Sequence, residues 1–294
     1  MKKNYNNIIS VIIPFYKGNK YVKGLLTMIN DNSKLINGFG YQIECIIVND
    51  SPRVVVEYDT ELVKTFTLKV INNTENSGIH KTKVNGLKES AGDYILFLDQ
   101  DDKITDNFLY SQMMKFKEKP SADIVIANGY KEHPSGKQVI YKNIVAQKFA
   151  VHLFFYLYSS NLITSAGQCL IKKDSIPVEW CNNIVKHNGS DDYYLWLLMF
   201  MQNNNMIINE EKIYCHTYTG NNLSNDYGKI LISCSEVIDM LKINHLSDVN
   251  IEKLMRRIQY KQEFISSKNF IKKLSILIKY FKYAVINIIY KLLF

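Results

Sequence analysis

The clearest chemical feature of this sequence is the acidic segment Asp99-Gln100-Asp101-Asp102, which directly follows an apolar run at 94–98. Three carboxylates within four residues repel one another unless a cation lies among them. Mg²⁺ and Mn²⁺ take oxygen ligands and keep coordination positions free for phosphate oxygens. The segment therefore predicts a site for a metal ion and a diphosphate, and a solvated turn before the next helix is the structural alternative.

Two further groups in the first half could serve a nucleotide. Asp50 follows the apolar run at 43–48, where a carboxylate could accept the imide N–H of a uracil or bind a ribose hydroxyl. The alternative for Asp50 is an Asx turn. Lys83 lies with His80 and Lys81 in the first turns of a predicted helix. Lysines at that end oppose the helix dipole, so they indicate a nearby anion, and solvated lysine is the alternative.

Two candidates for catalysis lie in the second half of the chain. Asp192 follows Asp191 at the start of the apolar segment 193–201. A carboxylate at the start of a helix could act as a general base, and its favourable interaction with the helix dipole is a sufficient structural alternative. His216 lies in a predicted strand, where a histidine is either part of the packing or a ligand for a metal or phosphate.

Alternating strands and helices position the candidates of the first 130 residues. Nearly continuous apolar runs predict buried strands at 8–14, 43–48, 68–71, 94–98 and 124–127. The segments between them predict helices at 20–30, 79–90 and 106–117. This alternation predicts a mostly parallel sheet covered by helices, whose ligands bind at the carboxyl ends of the strands. Farther along, the pattern predicts helices at 191–201, 235–246 and 249–264 and short strands at 206–209 and 212–218.

Positive charge is concentrated near the end of the 294 residues. Residues 251–294 carry ten basic and two acidic side chains, which equals the net charge of the whole chain, +8, so the first 250 residues are neutral overall. A nucleic-acid-binding protein more often spreads positive charge over its folded surface, so we expect no nucleic acid partner. A basic, apolar C-terminal segment favours contact with an anionic membrane surface instead.

On a helical wheel, the segment 268–294 places a stripe of lysines opposite an apolar side. The apolar side contains Phe270, Leu274, Leu277, Phe281, Val285, Ile288 and Leu292. The stretch between its last two lysines, 283–290, is far shorter than the roughly 20 residues that cross a bilayer. We therefore predict a helix that lies in the membrane interface, and a terminal helix packed on the body is the alternative.

Composition and missing motifs exclude several other classes of protein. A chain with 47% apolar and 22% charged residues is not disordered. Five widely spaced cysteines without a CxxC pair indicate neither a disulfide scaffold nor a zinc site and fit a reducing cytosol. The segment 8–16 contains a proline and lacks a small-residue cleavage site, so we interpret it as a strand rather than a signal peptide. The sequence contains no P-loop, dinucleotide fingerprint or nucleophile elbow.

Four segments together resemble the family 2 glycosyltransferases. They are ISVIIPFYKGNKYV at 9–22, IIVNDS at 46–51, NSGIHKTKVNGL at 76–87 and GDYILFLDQDD at 92–102. Weaker similarity continues through GQCLIKKDSIP at 167–177, DDYYLW at 191–196 and HTYTGNNLS at 216–224. The resemblance implies an α/β fold of the GT-A type, with a mostly parallel central sheet and a helical C-terminal region. The implied divisions are a nucleotide-binding half at about 1–130, an acceptor half at about 131–225 and the helical region at 226–294.

The resemblance also implies roles for individual residues. It places contacts with the donor nucleotide at Pro14, Tyr16, Asp50, Lys83 and Asp99. It places contacts with a metal, Mn²⁺ or Mg²⁺, at Asp101, Asp102 and His216. Asp192 corresponds to the base that deprotonates the acceptor hydroxyl. Asn49, Lys83 and Val84 depart from the residues common in the family, which leaves the donor base and sugar open.

The implied reaction is an inverting transfer of a sugar from a nucleotide-sugar, with UDP as the expected carrier, to a hydroxyl of a glycan or lipid-linked saccharide. Such reactions build cell-surface polysaccharides. The Q-x-x-R-W motif of processive synthases is absent, so a single addition is expected. We expect a cytoplasmic enzyme that contacts the inner face of the membrane through 268–294. A metal-dependent nucleotidyltransferase and a catalytically silent, membrane-associated module are the alternatives.

Overall fold

A computed structural model describes residues 7–220, 226–243 and 247–293, and a nine-stranded sheet lies at its centre. The strands are β1 (Ile8–Phe15), β2 (Gln42–Asn49), β3 (Thr67–Asn72), β4 (Tyr94–Phe97), β5 (Lys103–Ile104), β6 (Ile124–His133), β7 (Gly136–Val139), β8 (Cys169–Lys172) and β9 (Met206–Thr217). Their order across the sheet is β3-β2-β1-β4-β8-β6-β9-β5, and β7 pairs with β6.

Six of these strands run in one direction. β3, β2, β1 and β4 form a parallel group, and β6 and β9 run the same way. β5, β7 and β8 run in the opposite direction. The prediction of a mostly parallel α/β sheet is therefore confirmed. The sequence pattern does not indicate β8, the short strand that separates β4 from β6.

The last strand along the chain, β9, is longer than its apolar pattern suggests. The prediction of two short strands at 206–209 and 212–218 is wrong, because β9 is continuous from Met206 to Thr217. Its register with β6 shifts on both sides of Asn128, and these irregularities accommodate the charged residues Glu210 and Glu211 without breaking the strand.

Eleven helices of the described residues surround the sheet. They are α1 (Asn19–Asn37), α2 (Ile79–Lys88), α3 (Phe108–Glu118), α4 (Ile144–Phe149), α5 (Leu153–Tyr158), α6 (Val178–Asn182), α7 (Asp191–Met201), α8 (Tyr227–Ile243), α9 (Asp248–Ser266), α10 (Phe270–Lys279) and α11 (Phe281–Leu293). α2 packs closely on β1 and β2 at Gly86, where an added Cβ would lie 2.4 Å from Cγ2 of Ile12. Along the chain, α2 connects β3 with β4, which run parallel to each other. The N-terminus of α2 therefore lies at the edge of the sheet where the parallel strands end.

The C-terminal helices share one buried core with the sheet. Val237 of α8, Leu254 of α9 and Ala284 of α11 belong to the same cluster of buried apolar side chains as β1 and β4. The predicted division at 225 and the end of the motif at 216–224 fall in 221–225, outside the described residues.

The segment 268–294 forms two helices rather than one. α10 ends at Lys279, Tyr280 is its C-cap, and α11 begins at Phe281. One side of this pair is buried, at Ile276, Tyr280, Tyr283, Ala284 and Ile286. Much of the apolar side that the sequence predicts remains 50% to 79% exposed, at Phe270, Leu274, Phe281, Ile288 and Leu292. No helix in the described ranges has both the length and the apolar character needed to cross a bilayer.

Candidate active site

The loops that follow β1 and β4 are joined by a side-chain amide. The Oε1 atom of Gln100 accepts a hydrogen bond from the backbone N–H of Tyr16 at 2.9 Å, and its Nε2 donates to the Tyr16 carbonyl at 3.2 Å. Tyr16 is 47% exposed at this edge, whereas Pro14 is buried. Pro14 lies opposite Val48 of β2 and two residues beyond Ile12, the last residue of β1 that pairs with β4.

Asp50 lies at the carboxyl end of β2 and orders the turn that leads into α2. Its Oδ1 accepts hydrogen bonds from Asn73 Nδ2 at 2.8 Å and Ser77 N at 2.7 Å, and its Oδ2 accepts one from Gly78 N at 3.0 Å. Gly78 has a φ of +81°, a conformation that glycine adopts without strain. Asp50 is thus a buried carboxylate that holds the turn before α2, and its contact with a donor base stays a prediction.

A buried ionic cluster connects α2 with the start of α7. The ammonium group of Lys83, which is 1% exposed, donates to Asp191 Oδ2 at 2.9 Å and to Asp192 Oδ1 at 2.6 Å. Burial alone would lower the pKa of Lys83, but the charges of Asp191, Asp192 and Asp99 hold it well above the usual value. The anion that the sequence predicts near Lys83 is therefore a pair of carboxylates from the chain itself. The geometry does not favour the predicted contact of Lys83 with the donor.

Asp192 is close to the acidic loop as well as to Lys83. Its Oδ2 accepts a hydrogen bond from the backbone N–H of Ala166 at 3.0 Å, and the neighbouring Ser165 hydroxyl donates to Asp99 Oδ2 at 3.1 Å. Two successive residues therefore connect the predicted base with the predicted nucleotide-binding acid. Burial raises the pKa of Asp192, and the charge of Lys83 opposes this shift. A carboxylate with a raised pKa is a better proton acceptor than an ordinary aspartate.

Asp102 and His216 form a hydrogen-bonded pair beside the acidic loop. Asp102 is 1% exposed, and its Oδ1 lies 3.0 Å from His216 Nδ1 and accepts from Thr217 N at 3.1 Å. Its Oδ2 accepts a hydrogen bond from the Tyr214 hydroxyl. Burial alone would lower the pKa of His216, but its hydrogen bond to Asp102 and the nearby carboxylates raise it. The arrangement favours an orienting role for Asp102 over the predicted direct contact with a metal.

The remaining acids fit a divalent cation that shares its coordination shell with phosphate. Among the described residues, no three carboxylate, histidine or cysteine side chains form a complete metal cage. Asp99 Oδ1, however, is buried without a hydrogen-bond partner. Burial raises the pKa of Asp101 to about 6, and the charges of Asp102 and Asp99 add to the shift. Mg²⁺ commonly uses one or two carboxylates and takes its other ligands from water and substrate phosphates. Asp101 and Asp99 can meet this need, and the pairing of His216 Nδ1 with Asp102 leaves Nε2 as the ring nitrogen that could bind a metal, as in carboxylate–histidine–metal triads.

Four residues of this site are missing from the sequence-based prediction. They are Gln100, Ser165, Ala166 and Tyr214. A strand places residues two apart on the same face, so the spacing of Tyr214 and His216 was the sequence signal that Tyr214 belongs to the site. Ser165 and Ala166 precede the motif at 167–177, and nothing in their residue types indicates contact with distant carboxylates.

Comparison with known sequences identifies relatives of this chain. Residues 10–177 match the sequence model of Glycosyl transferase family 2. A dolichol-phosphate mannosyltransferase from Pyrococcus furiosus is 33% identical over 93 residues, which cover 32% of this chain and 25% of the relative. The glycosyltransferase GlyG of Streptococcus pneumoniae serotype 4 is 27% identical over 152 residues, which cover 50% of this chain and 46% of the relative. The chain thus spans less than half the length of these relatives.

Solved structures give the same fold over most of the chain. S. aureus TarS residues 1–349 in complex with UDP-GlcNAc align with a TM-score of 0.60 and 14% identity, covering 94% of this chain and 81% of that one. The same TarS fragment in complex with UDP aligns with a TM-score of 0.56 and 17% identity, covering 88% and 72%. At this level of identity the similarity concerns the fold.

Proposed function

The chain belongs to glycosyl transferase family 2 and is a glycosyltransferase; on that premise, we propose that it transfers a sugar with inversion from a UDP-linked donor to a hydroxyl group. The observation that carries this proposal is the short connection from Asp99 to Asp192 through Ser165 and Ala166. It places Asp99, which lies at the strand end where a nucleotide would bind, close to Asp192, which could take the proton of an acceptor hydroxyl. The TarS complexes with UDP-GlcNAc and UDP support a uridine nucleotide as the donor.

In the proposed reaction, Asp192 accepts the proton of the acceptor hydroxyl, and the oxygen attacks the anomeric carbon opposite the leaving group. Lys83 and Ala166 fix the Asp192 carboxylate, so that it needs little reorganisation when the proton arrives. A divalent cation bound at Asp101 would supply positive charge that stabilises the departing nucleoside diphosphate. Tyr16 and Asp50 lie at the edge where the base of the donor would bind.

We also propose that α10 and α11 hold the enzyme against an anionic membrane surface. Their exposed apolar side chains lie on helices that carry Lys272, Lys279 and Lys282 and no acid. Phe154 of α5 extends this surface, since it is 44% exposed and its ring lies 6.0 Å from Lys282 Nζ. Apolar side chains beside lysines suit the boundary between lipid headgroups and acyl chains. A lipid-linked saccharide used in cell-surface polysaccharide synthesis would be accessible there.

A screen of sugar nucleotides in Mn²⁺ tests the proposed reaction. Free nucleoside diphosphate is the expected product, pyrophosphate would indicate a nucleotidyltransferase, and neither product would indicate a silent module. Asp101→Asn should weaken UDP binding in Mn²⁺ and change it little in EDTA. Asp106→Asn, a charge change at an exposed residue of the following turn, is the matched control. Equal affinity of the wild-type protein for UDP with and without metal would contradict a metal-bound donor.

A further inference from the structure

A large cavity lies between the second half of the sheet and the C-terminal helices. Its volume is about 580 Å³, and β6, α7, α8, α9 and α11 all contribute to its wall. His216, Thr164 and Ser190 lie in this wall. Thr164 directly precedes Ser165, and Ser190 directly precedes Asp191. The nucleotide-end residues Tyr16, Asp50, Asp99 and Asp101 are not part of it. The cavity therefore adjoins the candidate active site, and these predicted nucleotide-binding residues do not line it.

The wall of this cavity is strongly basic. Its charged side chains, apart from His216, are Lys131, Lys142, Arg257, Lys261 and Lys291. No aspartate or glutamate lines the cavity, and none of these five cations forms an ion pair within the described ranges. All aspartate and glutamate residues of the sequence lie inside those ranges. The positive charge of the cavity is therefore not balanced by the side chains of the chain.

Arg257 is the most constrained of these cations. It is 3% exposed, its Nη1 donates to the Tyr156 carbonyl at 2.6 Å, and its guanidinium lies 4.8 Å from the centre of the Tyr193 ring. Its Nε is buried without a hydrogen-bond partner. Lys261 lies one helical turn farther along α9, and burial together with the charge of Arg257 lowers its pKa to about 7. Arg257 is buried and Lys261 is partly buried, and neither has an acidic partner, so an anion bound between them would be stabilising.

We propose that this cavity binds a phosphate group of the acceptor, an inference that rests on the proposed sugar transfer. The unpartnered Nε–H of Arg257 can donate to a phosphate oxygen, and lysines add charge without strict geometry. Even without Lys261, the four cations Lys131, Lys142, Arg257 and Lys291 exceed the charge of one carboxylate and suit a diphosphate or several phosphodiesters. The position beside Asp192 would place the acceptor hydroxyl at the base while its phosphate occupies the cavity.

Binding of inorganic pyrophosphate in EDTA, measured by titration calorimetry, tests the cavity independently of the reaction. Lys261→Gln and Arg257→Gln should raise the Kd for pyrophosphate at least tenfold, whereas Lys119→Gln, an exposed lysine at the end of α3, should not. Lys291→Gln, also exposed, gives a second variant if Arg257→Gln fails to fold. The Kd for UDP in Mn²⁺ should be the same in all variants that fold. No binding by the wild-type protein, or equal binding by Lys261→Gln, would overturn the proposal.

Transfer assays then identify the source of the phosphate. A polyprenyl-diphosphate-linked saccharide in detergent, a soluble phosphodiester-linked saccharide and a neutral oligosaccharide of the same sugar are compared. Lys261→Gln should raise KM for the preferred phosphate-bearing acceptor at least tenfold and leave kcat within about twofold. Equal use of the neutral acceptor, with the same KM in wild type and variant, would overturn the proposal. If the wild-type protein releases no UDP from any donor, the proposed reaction fails, and the pyrophosphate measurement still decides whether the cavity binds phosphate.

Discussion

Replacing Lys83 by methionine tests the buried ionic cluster that supports the candidate base. Methionine keeps most of the apolar stem and removes the ammonium group. Two carboxylates, Asp191 and Asp192, then lose the charge that lies 2.9 Å and 2.6 Å from them. Their side chains are 7% and 16% exposed, so water can replace little of the lost interaction.

Removing one partner of a buried ion pair typically costs about 3–5 kcal/mol of stability. We expect a loss near the lower limit, about 3 kcal/mol, because one carboxylate can take up a proton when Lys83 is absent. A change of this size lowers the melting temperature by roughly 5 °C in a chain of 294 residues. Because Lys83 lowers the pKa of Asp192, the variant should also need a higher pH to reach its full transfer rate.

Urea unfolding of Lys83→Met measures the loss directly. Lys81→Met is a matched control, because Lys81 lies on the same helix, is partly exposed and has no ion pair among the described residues. We expect the control to change the free energy of unfolding by less than about 0.5 kcal/mol. A double-mutant cycle with Asp191→Asn should give a coupling energy of about 1–3 kcal/mol. A loss below about 1 kcal/mol for Lys83→Met, or an additive cycle, would refute this view of the cluster.

Burial, aided by the charge of Lys83, lowers the pKa of His80 from 6.5 to about 4, so the folded protein binds fewer protons than the unfolded chain in this window. Stability should therefore fall as the pH decreases from 6.5 to 4, and His80→Gln should remove up to roughly 3 kcal/mol of that dependence in urea unfolding. An unchanged pH dependence would contradict the neutral, buried imidazole. Combined Phe270→Ser, Ile278→Ser and Phe281→Ser should reduce co-sedimentation with anionic liposomes severalfold at an unchanged melting temperature, since all three side chains are exposed. Undiminished co-sedimentation would exclude this surface as the membrane contact.

The central sheet could be predicted because its strands are buried on both faces. The runs that became β1, β2 and β4 are nearly all apolar, and in a chain of alternating elements such runs are typical of strands in a parallel sheet. β8 lies in a stretch without regular alternation of strand and helix patterns, so its four residues do not stand out as a strand. β9 was divided because charged residues interrupt its apolar pattern, and its pairing with β6 compensates for them.

The sequence was enough to locate the acidic residues of the site, but it did not indicate which side chains they contact. The position of Asp99 and Asp101 after a buried strand indicates the edge where a nucleotide would bind. The contact of Lys83 with Asp191 and Asp192 joins residues more than 100 positions apart, and local patterns carry no information about such pairing. The helical wheel of 268–294 assumed one straight helix, whereas the break at Tyr280 changes which side chains meet the body.

Single-turnover sugar transfer by Asp192→Asn tests the assignment of the base most directly. Asp191→Asn is the matched control, because it removes the other carboxylate that contacts Lys83 from the same helical turn. We predict that Asp192→Asn lowers the transfer rate by about 10²–10⁴ with an unchanged Kd for UDP, and that Asp191→Asn lowers it far less. Transfer by Asp192→Asn at nearly the wild-type rate, with a lowered melting temperature, would contradict the account and leave Asp192 as only a structural partner of Lys83.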